Sequence, residues 1–396
     1  MKITDIDAVW LHCPIPYERQ HVSDFGRIAS FDCVLVTVTT DAGVQGFGES
    51  KAAVGSAGTC AAVVSAVKHD LAPTLIGKDP RHINEIWDTM YNGTRDHYAL
   101  SRGRGFPVLG RRGLLISAMS GIDMALWDVL GKSLGAPVCQ LLGGAHTDAM
   151  ECYASGGWAD VDGIGAQVKG YADKGFKGVK MRVGVMDAKT RGGSFVANSV
   201  ARVRAAREAL GPDIKLMADA HGTMSVPEAK QFCAGIERSD LHWFEEPCNS
   251  DDVVGTAEVR AHTRTPIACG ESEFTRFDFR DLIAARAVDV LQPDLAICGG
   301  LSEGLKIAAL AAAHQLELAP HCWGSALSFA AGVSLAFASS SAVVIEYSLG
   351  ANPLLHEMPE EPFEVVDGMI AAPARPGWGV TPRAEFIARF RRDVSV

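Results

Sequence analysis

Asp219 lies in Leu-Met-Ala-Asp-Ala-His, Glu245 in Trp-Phe-Glu-Glu-Pro and Glu271 in Ile-Ala-Cys-Gly-Glu, with 26 residues from each acid to the next. Each ends a short apolar run, which puts each at the C-terminal tip of a strand in a repeating strand-helix barrel, where such folds carry their chemistry. Taken singly, Asp219 is more often a helix N-cap or loop carboxylate than a ligand. Three carboxylates on one rim would repel one another unless a cation held them. A hard divalent ion with oxygen ligands answers that, and Mg²⁺ suits a site that keeps positions open for substrate.

More chemistry falls on the same beat. Lys180 and Arg182 share one face of the strand before Asp219, by the two-residue period of a strand. After Glu271 come Asp294 in Leu-Gln-Pro-Asp, His321 in Ala-Pro-His-Cys-Trp and Glu346 in Val-Ile-Glu-Tyr, at offsets of 23, 27 and 25 residues. His221 faces the site by parity with Asp219, Glu246 backs Glu245, and Trp323 shapes a pocket or simply packs.

These tips need a scaffold. The first 50 residues alternate as strands, Ile3 to Cys13 and then a hairpin of Cys33 to Thr39 and Val44 to Glu49 about Asp41-Ala42-Gly43, with Pro14 to Ser30 as a loop. Helical segments are expected near 59–71, 80–92 and 112–134, which makes an α+β unit over 1–147. Residues 148–350 then repeat strand, turn and amphipathic helix. The expected strands are Tyr153–Gly157, Val179–Val183, Lys215–Asp219, His242–Glu246, Ile267–Glu271, Val288–Asp294, Glu317–His321 and Val343–Glu346, enough for a (β/α)₈ barrel. A doubly wound sheet is the rival, and it lacks the Gly-rich phosphate turn after its first strand. Gly184 to Phe195 is long for a β/α loop. The Pro- and Gly-broken tail, 351–396, is expected to return to the N-terminal unit.

A net charge of −10 with no Lys/Arg run argues against nucleic acid or an anionic membrane as partner. An anionic substrate must therefore find its positive charge in the site itself. Ten scattered cysteines without a Cys-x-x-Cys pair read as reduced core thiols. The N-terminus has no apolar signal region and no run matches a membrane span, so a soluble cytoplasmic protein is expected.

The stretch Ala118-Met119-Ser120-Gly121-Ile122-Asp123-Met124-Ala125-Leu126-Trp127-Asp128, continuing through Gly131-Lys132 to Leu141-Leu142-Gly143-Gly144, resembles the most distinctive segment of the enolase superfamily, in the branch of mandelate racemase and the acid-sugar dehydratases. The ordered acids, Lys180, the Asp294 and His321 pair and Glu346 match that branch in sequence order, and the resemblance covers essentially the whole chain. It implies an N-terminal domain capping a barrel, bound Mg²⁺ on Asp219, Glu245 and Glu271, a symmetric homo-oligomer, and removal of a proton next to a carboxylate. The capping loop closes over the site in that family, which makes His21 and Arg27 candidates to read substrate, beside Arg182, His221 and Trp323.

Such a proton is far too weakly acidic for a neutral-pH base, because its loss places a second negative charge on the carboxylate. A divalent cation, Lys180 or Arg182, and a protonated Glu346 on the far side would stabilise that charge. His321 would carry the proton and Asp294 would orient it. The expected activity is dehydration of a sugar acid, an aldonate or aldarate, to a 2-keto-3-deoxy acid; racemases, epimerases and cycloisomerases using the same enolate are the alternative. Many relatives carry Lys-x-Lys where this chain has Lys180-x-Arg182, and guanidinium is a poor base. Inversion needs a base on each face, so Arg182 weighs against a racemase, and Asp294 stands where the lactonizing branch has a lysine.

Overall fold

The structure is a computed structural model and describes residues 1–23, 26–53, 59–93, 111–184 and 195–394. The loop after Gly184 lies outside the described residues apart from its ends. In the N-terminal unit β1 (Ile3–Pro14) pairs antiparallel with β4 (Ser30–Thr40), and β4 with β5 (Gln45–Ser50). The segment expected as loop between β1 and β4 instead holds a small antiparallel pair, β2 (His21–Ser23) and β3 (Gly26–Ile28). Three-residue strands of this kind are too short to show the alternation that reveals a half-buried sheet.

The barrel follows: β6 (Ala149–Gly156), β7 (Gly178–Arg182), β8 (Lys215–Asp219), β9 (Trp243–Glu245), β10 (Ile267–Cys269), β11 (Val290–Leu291), β12 (Glu317–Leu318) and β13 (Ile345–Ser348). Neighbours pair in parallel from β6 through to β12, and β13 pairs with β6. Leu318 bridges to Ala342 and bonds Ser341 and Val343 just before β13, which closes the ring and excludes the doubly wound sheet. The strands are shorter than the apolar runs suggest, so Glu271, Asp294 and His321 stand two or three residues beyond the last paired residue.

Strand parity explains the interior. Met217 lies two residues before Asp219 and Trp243 two before Glu245, and both belong to a fully buried cluster with Tyr153, Ala268, Val290, Ala319 and Val344. The acids therefore sit directly above a dry plug. Gly178, two before Lys180, has no room for a side chain: a Cβ there would meet Tyr153 Cβ at 2.9 Å and Met217 Cε at 3.3 Å.

The helix Leu114–Leu134 carries the distinctive segment and joins the parts. Gly48 lies against its Gly121 carbonyl so closely that a Cβ would overlap it, letting β5 press on the helix backbone. Its Asp128 accepts from Phe47 N and Trp378 N, both at 2.9 Å, and Asp123 accepts from Ser302 N at 3.0 Å and Ser302 Oγ at 2.5 Å. One helix thus ties β5, the tail and the barrel together. The helix does have the length and hydropathy of a membrane span, contrary to the sequence reading, but 78% of its most apolar window is buried within the fold. The tail does not go only to the N-terminal unit: β14 (Met369–Ala371) pairs with barrel strand β6 before β15 (Arg391–Arg392) pairs with β1.

Burial raises the Asp123 carboxyl to about 7, with the Ser302 bonds acting the other way. The native state therefore holds this proton more tightly than the unfolded chain, where a carboxylate titrates near ~4. The resulting stability is complete below that range and is lost as pH rises through about 7. Asp123→Asn should flatten this part of the slope in urea unfolding followed from pH 4 to 8; an unchanged slope would reject the assignment.

Candidate active site

Lys180, Asp219, Glu245, Glu271, Asp294, His321 and Glu346, expected together from their spacing, are brought together at the C-terminal end of the barrel, all buried. Lys180 is the hub. Its Nζ contacts Glu245 Oε1, lies 3.0 Å from Glu346 Oε1 and 3.7 Å from Asp219 Oδ2. Burial alone would push this ammonium down, yet Glu245 and Glu346 outweigh it and hold the pKa above the ordinary lysine value. Arg182 pairs with Asp219, and its guanidinium carbon lies 5.3 Å from the centre of the Trp323 ring.

His321 stands across the site. Its Nδ1 is 2.8 Å from Asp294 Oδ2, and Nε2 is 3.2 Å from Glu271 Oε2 and 3.9 Å from Glu346 Oε2. Burial disfavours the imidazolium, but Glu271, Glu346 and the Asp294 bond prevail and raise its pKa. Burial likewise pushes Asp294 up, and Lys51 and His321 bring it below the usual carboxylate value. Despite its burial, Lys180, His321 and Arg182 hold Glu346 well below the carboxylate range, and its Oε2 accepts the Cys322 N–H at 2.8 Å.

Two residues beyond strand ends adopt left-handed backbone at non-glycine positions, His221 at φ 46° and Glu246 at φ 43°. Such strain collects at functional sites, where surrounding contacts enforce it. The His221 turn is closed by its own N–H on Asp219 Oδ1 at 2.9 Å, and its Nε2 lies 3.3 Å from Asp219 Oδ2. Glu246, which burial pushes far above the usual range, accepts from Gly270 N at 2.8 Å and so supports the loop carrying Glu271.

The donor set fits a divalent cation. Asp219, Glu245, Glu271, Asp294 and Glu346 are buried beside Lys51, Lys180 and Arg182 as the permanent cations in contact with them among the described residues, and an uncompensated buried charge costs several kcal/mol. Glu271 Oε2 is buried and accepts no hydrogen bond among the described residues, with His321 Nε2 at 3.2 Å, while Asp219 Oδ2 faces Arg182 and His221. Ligand atoms of Asp219, His221 and Glu271 lie within 4.8 Å of one another. Glu245 is more committed than its spacing suggests, since Oε2 accepts from Trp243 Nε1 at 2.9 Å and Gln292 Nε2 at 2.8 Å.

Among the substrate-binding candidates, His21 reaches this region: it stacks on Trp158 with ring centres 4.0 Å apart, and burial together with nearby Arg182 lowers its pKa to about 4. Trp158 in turn meets Trp323 edge-on at 6.1 Å. Arg27 is not brought in; it is exposed, with its guanidinium 5.0 Å from the Tyr17 ring. Arg111 and Arg112 bond to Tyr91 and Asp278. Lys51, Trp158 and Gln292 went unread in the sequence, because none lies on the strand-tip period.

A barrel whose rim gathers acids, a lysine and a His–Asp pair under an α+β cap defines a class of enzymes, and comparison agrees. Residues 7–143 match the mandelate racemase / muconate lactonizing enzyme N-terminal domain, and residues 163–386 the enolase C-terminal domain-like family. The chain belongs to this family, in the enolase superfamily. It is similar to the D-galactarolactone cycloisomerase of Agrobacterium fabrum, at 35% identity over 99% of each chain. Against the D-galactonate dehydratase of Ralstonia pickettii it is 38% identical over 88% of each. A racemase from Streptomyces coelicolor A3(2), solved with bound magnesium, superposes with a TM-score of 0.84 at 31% identity, covering 98% of this chain and 100% of that one.

Proposed function

We propose that this chain is a Mg²⁺-dependent dehydratase of a small sugar acid, an aldonate or aldarate. The observation that carries the reading is the His321–Asp294 pair facing the Lys180, Asp219 and Glu346 cluster across one buried rim. Asp219, Glu245 and Glu271 would hold the ion, which supplies positive charge where the substrate carboxylate gains electrons. The substrate is a carboxylate of small size, and no nucleic acid or membrane surface is involved.

Asp294 engages Nδ1 of His321, so Nε2 is the atom that takes the α-proton. The C–H pair moves toward the carboxylate, with Lys180 and Arg182 as nearby cations to stabilise the charge. The electrons then return to form a carbon–carbon double bond as the β-hydroxyl leaves, accepting a proton to depart as water. His321 can return the proton it took, and His221 beside Asp219 is a second imidazole within the site. The enol tautomerises to a 2-keto-3-deoxy acid. Support for dehydration comes from relatives named D-galactonate dehydratase and from Arg182, whose guanidinium does not serve as the second base that inversion needs.

One second reading has its own support, because the full-length similarity to a D-galactarolactone cycloisomerase admits a lactone oxygen as the leaving group from the same enolate. A panel of aldonates, aldarates and aldarolactones separates the two. Dehydration predicts 2-keto acid formation, trapped as a semicarbazone, from at least one open-chain acid. Turnover confined to lactones would replace the main reading with the second.

A further inference from the structure

Lys51, from the N-terminal unit, is only 2% exposed. Its Nζ donates to Asp294 Oδ2 at 2.7 Å and to the Trp323 carbonyl at 2.9 Å. That carboxylate oxygen is the one His321 Nδ1 uses at 2.8 Å, while Ala296 N holds Oδ1 at 2.8 Å. Two residues earlier, Glu49 accepts from Ser325 N at 2.9 Å, Ser325 Oγ at 2.5 Å and Ser328 N at 3.2 Å. Two side chains just past or within the end of β5 thus hold the segment that follows His321, Lys51 at Trp323 and Glu49 at the start of helix Ala326–Phe337, and Lys51 also holds Asp294 on the neighbouring strand tip.

We propose that Lys51 is a positioning residue for proton transfer: by fixing the Asp294 carboxylate from the docked N-terminal unit, it sets the orientation of His321 and makes the base competent only when the two units are joined. A buried lysine is an expensive way to fasten two surfaces, since apolar packing of similar volume commonly does as well or better. Its placement on the oxygen shared with His321 gives the charge a task that packing cannot perform. The neighbouring Glu49 contact, which uses no part of the His–Asp pair, already fastens the same interface. The role rests on the proposed function, but the arrangement is testable apart from turnover.

Lys51→Met should lower kcat by about 10²-fold, the scale of a reacting group displaced by about 1 Å, while KM changes little. Combined with Asp294→Asn, it should add no further loss to that of Asp294→Asn alone, because both act through one carboxylate. If Lys51→Met fails to fold with Asp294 left unpaired, the double variant, which lacks both charges, still supplies this comparison. Independently of substrate, the downfield Nδ1 proton resonance of His321, assigned by its loss in His321→Asn, should shift or vanish in Lys51→Met, or in the double variant relative to Asp294→Asn remain as it was. Wild-type kcat with an unmoved resonance, or losses that multiply in the double variant, would overturn the proposal. A wild-type protein inert toward every acid in the panel would instead overturn the functional reading, and the resonance would then decide the role of Lys51.

Discussion

His321→Asn is expected to reduce turnover by about 10³-fold, within the range that a positioned acid–base group contributes. Asparagine retains a polar group near Asp294 but has no nitrogen able to accept a proton where Nε2 stands, 3.2 Å from Glu271 Oε2. The effect should fall on kcat, since the proton moves only in the chemical step. His321 is fully enclosed, so the substitution needs a control for folding, and an unaltered circular dichroism spectrum with lost turnover is the expected pair of results. Substantial retained activity would remove His321 from the mechanism.

Glu271→Gln is expected to weaken Mg²⁺ binding by more than about 100-fold, beyond the 10- to 100-fold that loss of an outer partner of a metal ligand costs. The substitution removes one of the buried carboxylates that outnumber their cations while leaving the Arg182–Asp219 pair intact. Calorimetric titration measures this directly. Thermal unfolding gives a second readout without turnover: Mg²⁺ should raise the wild-type melting temperature by linkage and leave that of Glu271→Gln nearly unchanged. Equal affinity in both proteins would take Glu271 out of the ligand set. The His221 imidazole beside Asp219 offers a nitrogen ligand better suited to zinc or nickel than to magnesium, so the same titration with Zn²⁺ tests which ion the site prefers.

What could be read in advance divides by the range of the interactions. A parallel barrel repeats one unit, so its strand tips recur at nearly fixed spacing, and Asp219, Glu245, Glu271, Asp294, His321 and Glu346 were all visible as a periodic set, with Lys180 on the strand before them. Parity along a strand also placed Lys180 and Arg182 on one face, as their contacts with Glu245 and Asp219 bear out. The partners of Glu346 were harder to read: Lys180, 3.0 Å from its Oε1, comes from a strand far away in the chain, and no local signal reports that pairing. Lys51 was missed for the same reason, since its partners Asp294 and Trp323 lie 243 and 272 residues away. The β2–β3 pair was lost for a different one: three residues are too few to show a hydrophobic alternation. Arg27 was chosen by its place in a loop, and loop position does not determine where a side chain points.

If a divalent ion on Asp219, Glu245 and Glu271 makes the C–H bond beside a carboxylate breakable by His321, that bond should stay intact without the ion. Proton NMR of an acid substrate in heavy water decides this, run with Mg²⁺, then with excess EDTA, then with Mg²⁺ restored. The α-proton signal should disappear as 2-keto acid forms, stop changing on chelation and resume when the ion returns. Loss of the α-proton at an undiminished rate in EDTA would rule out a role for the ion in breaking that bond.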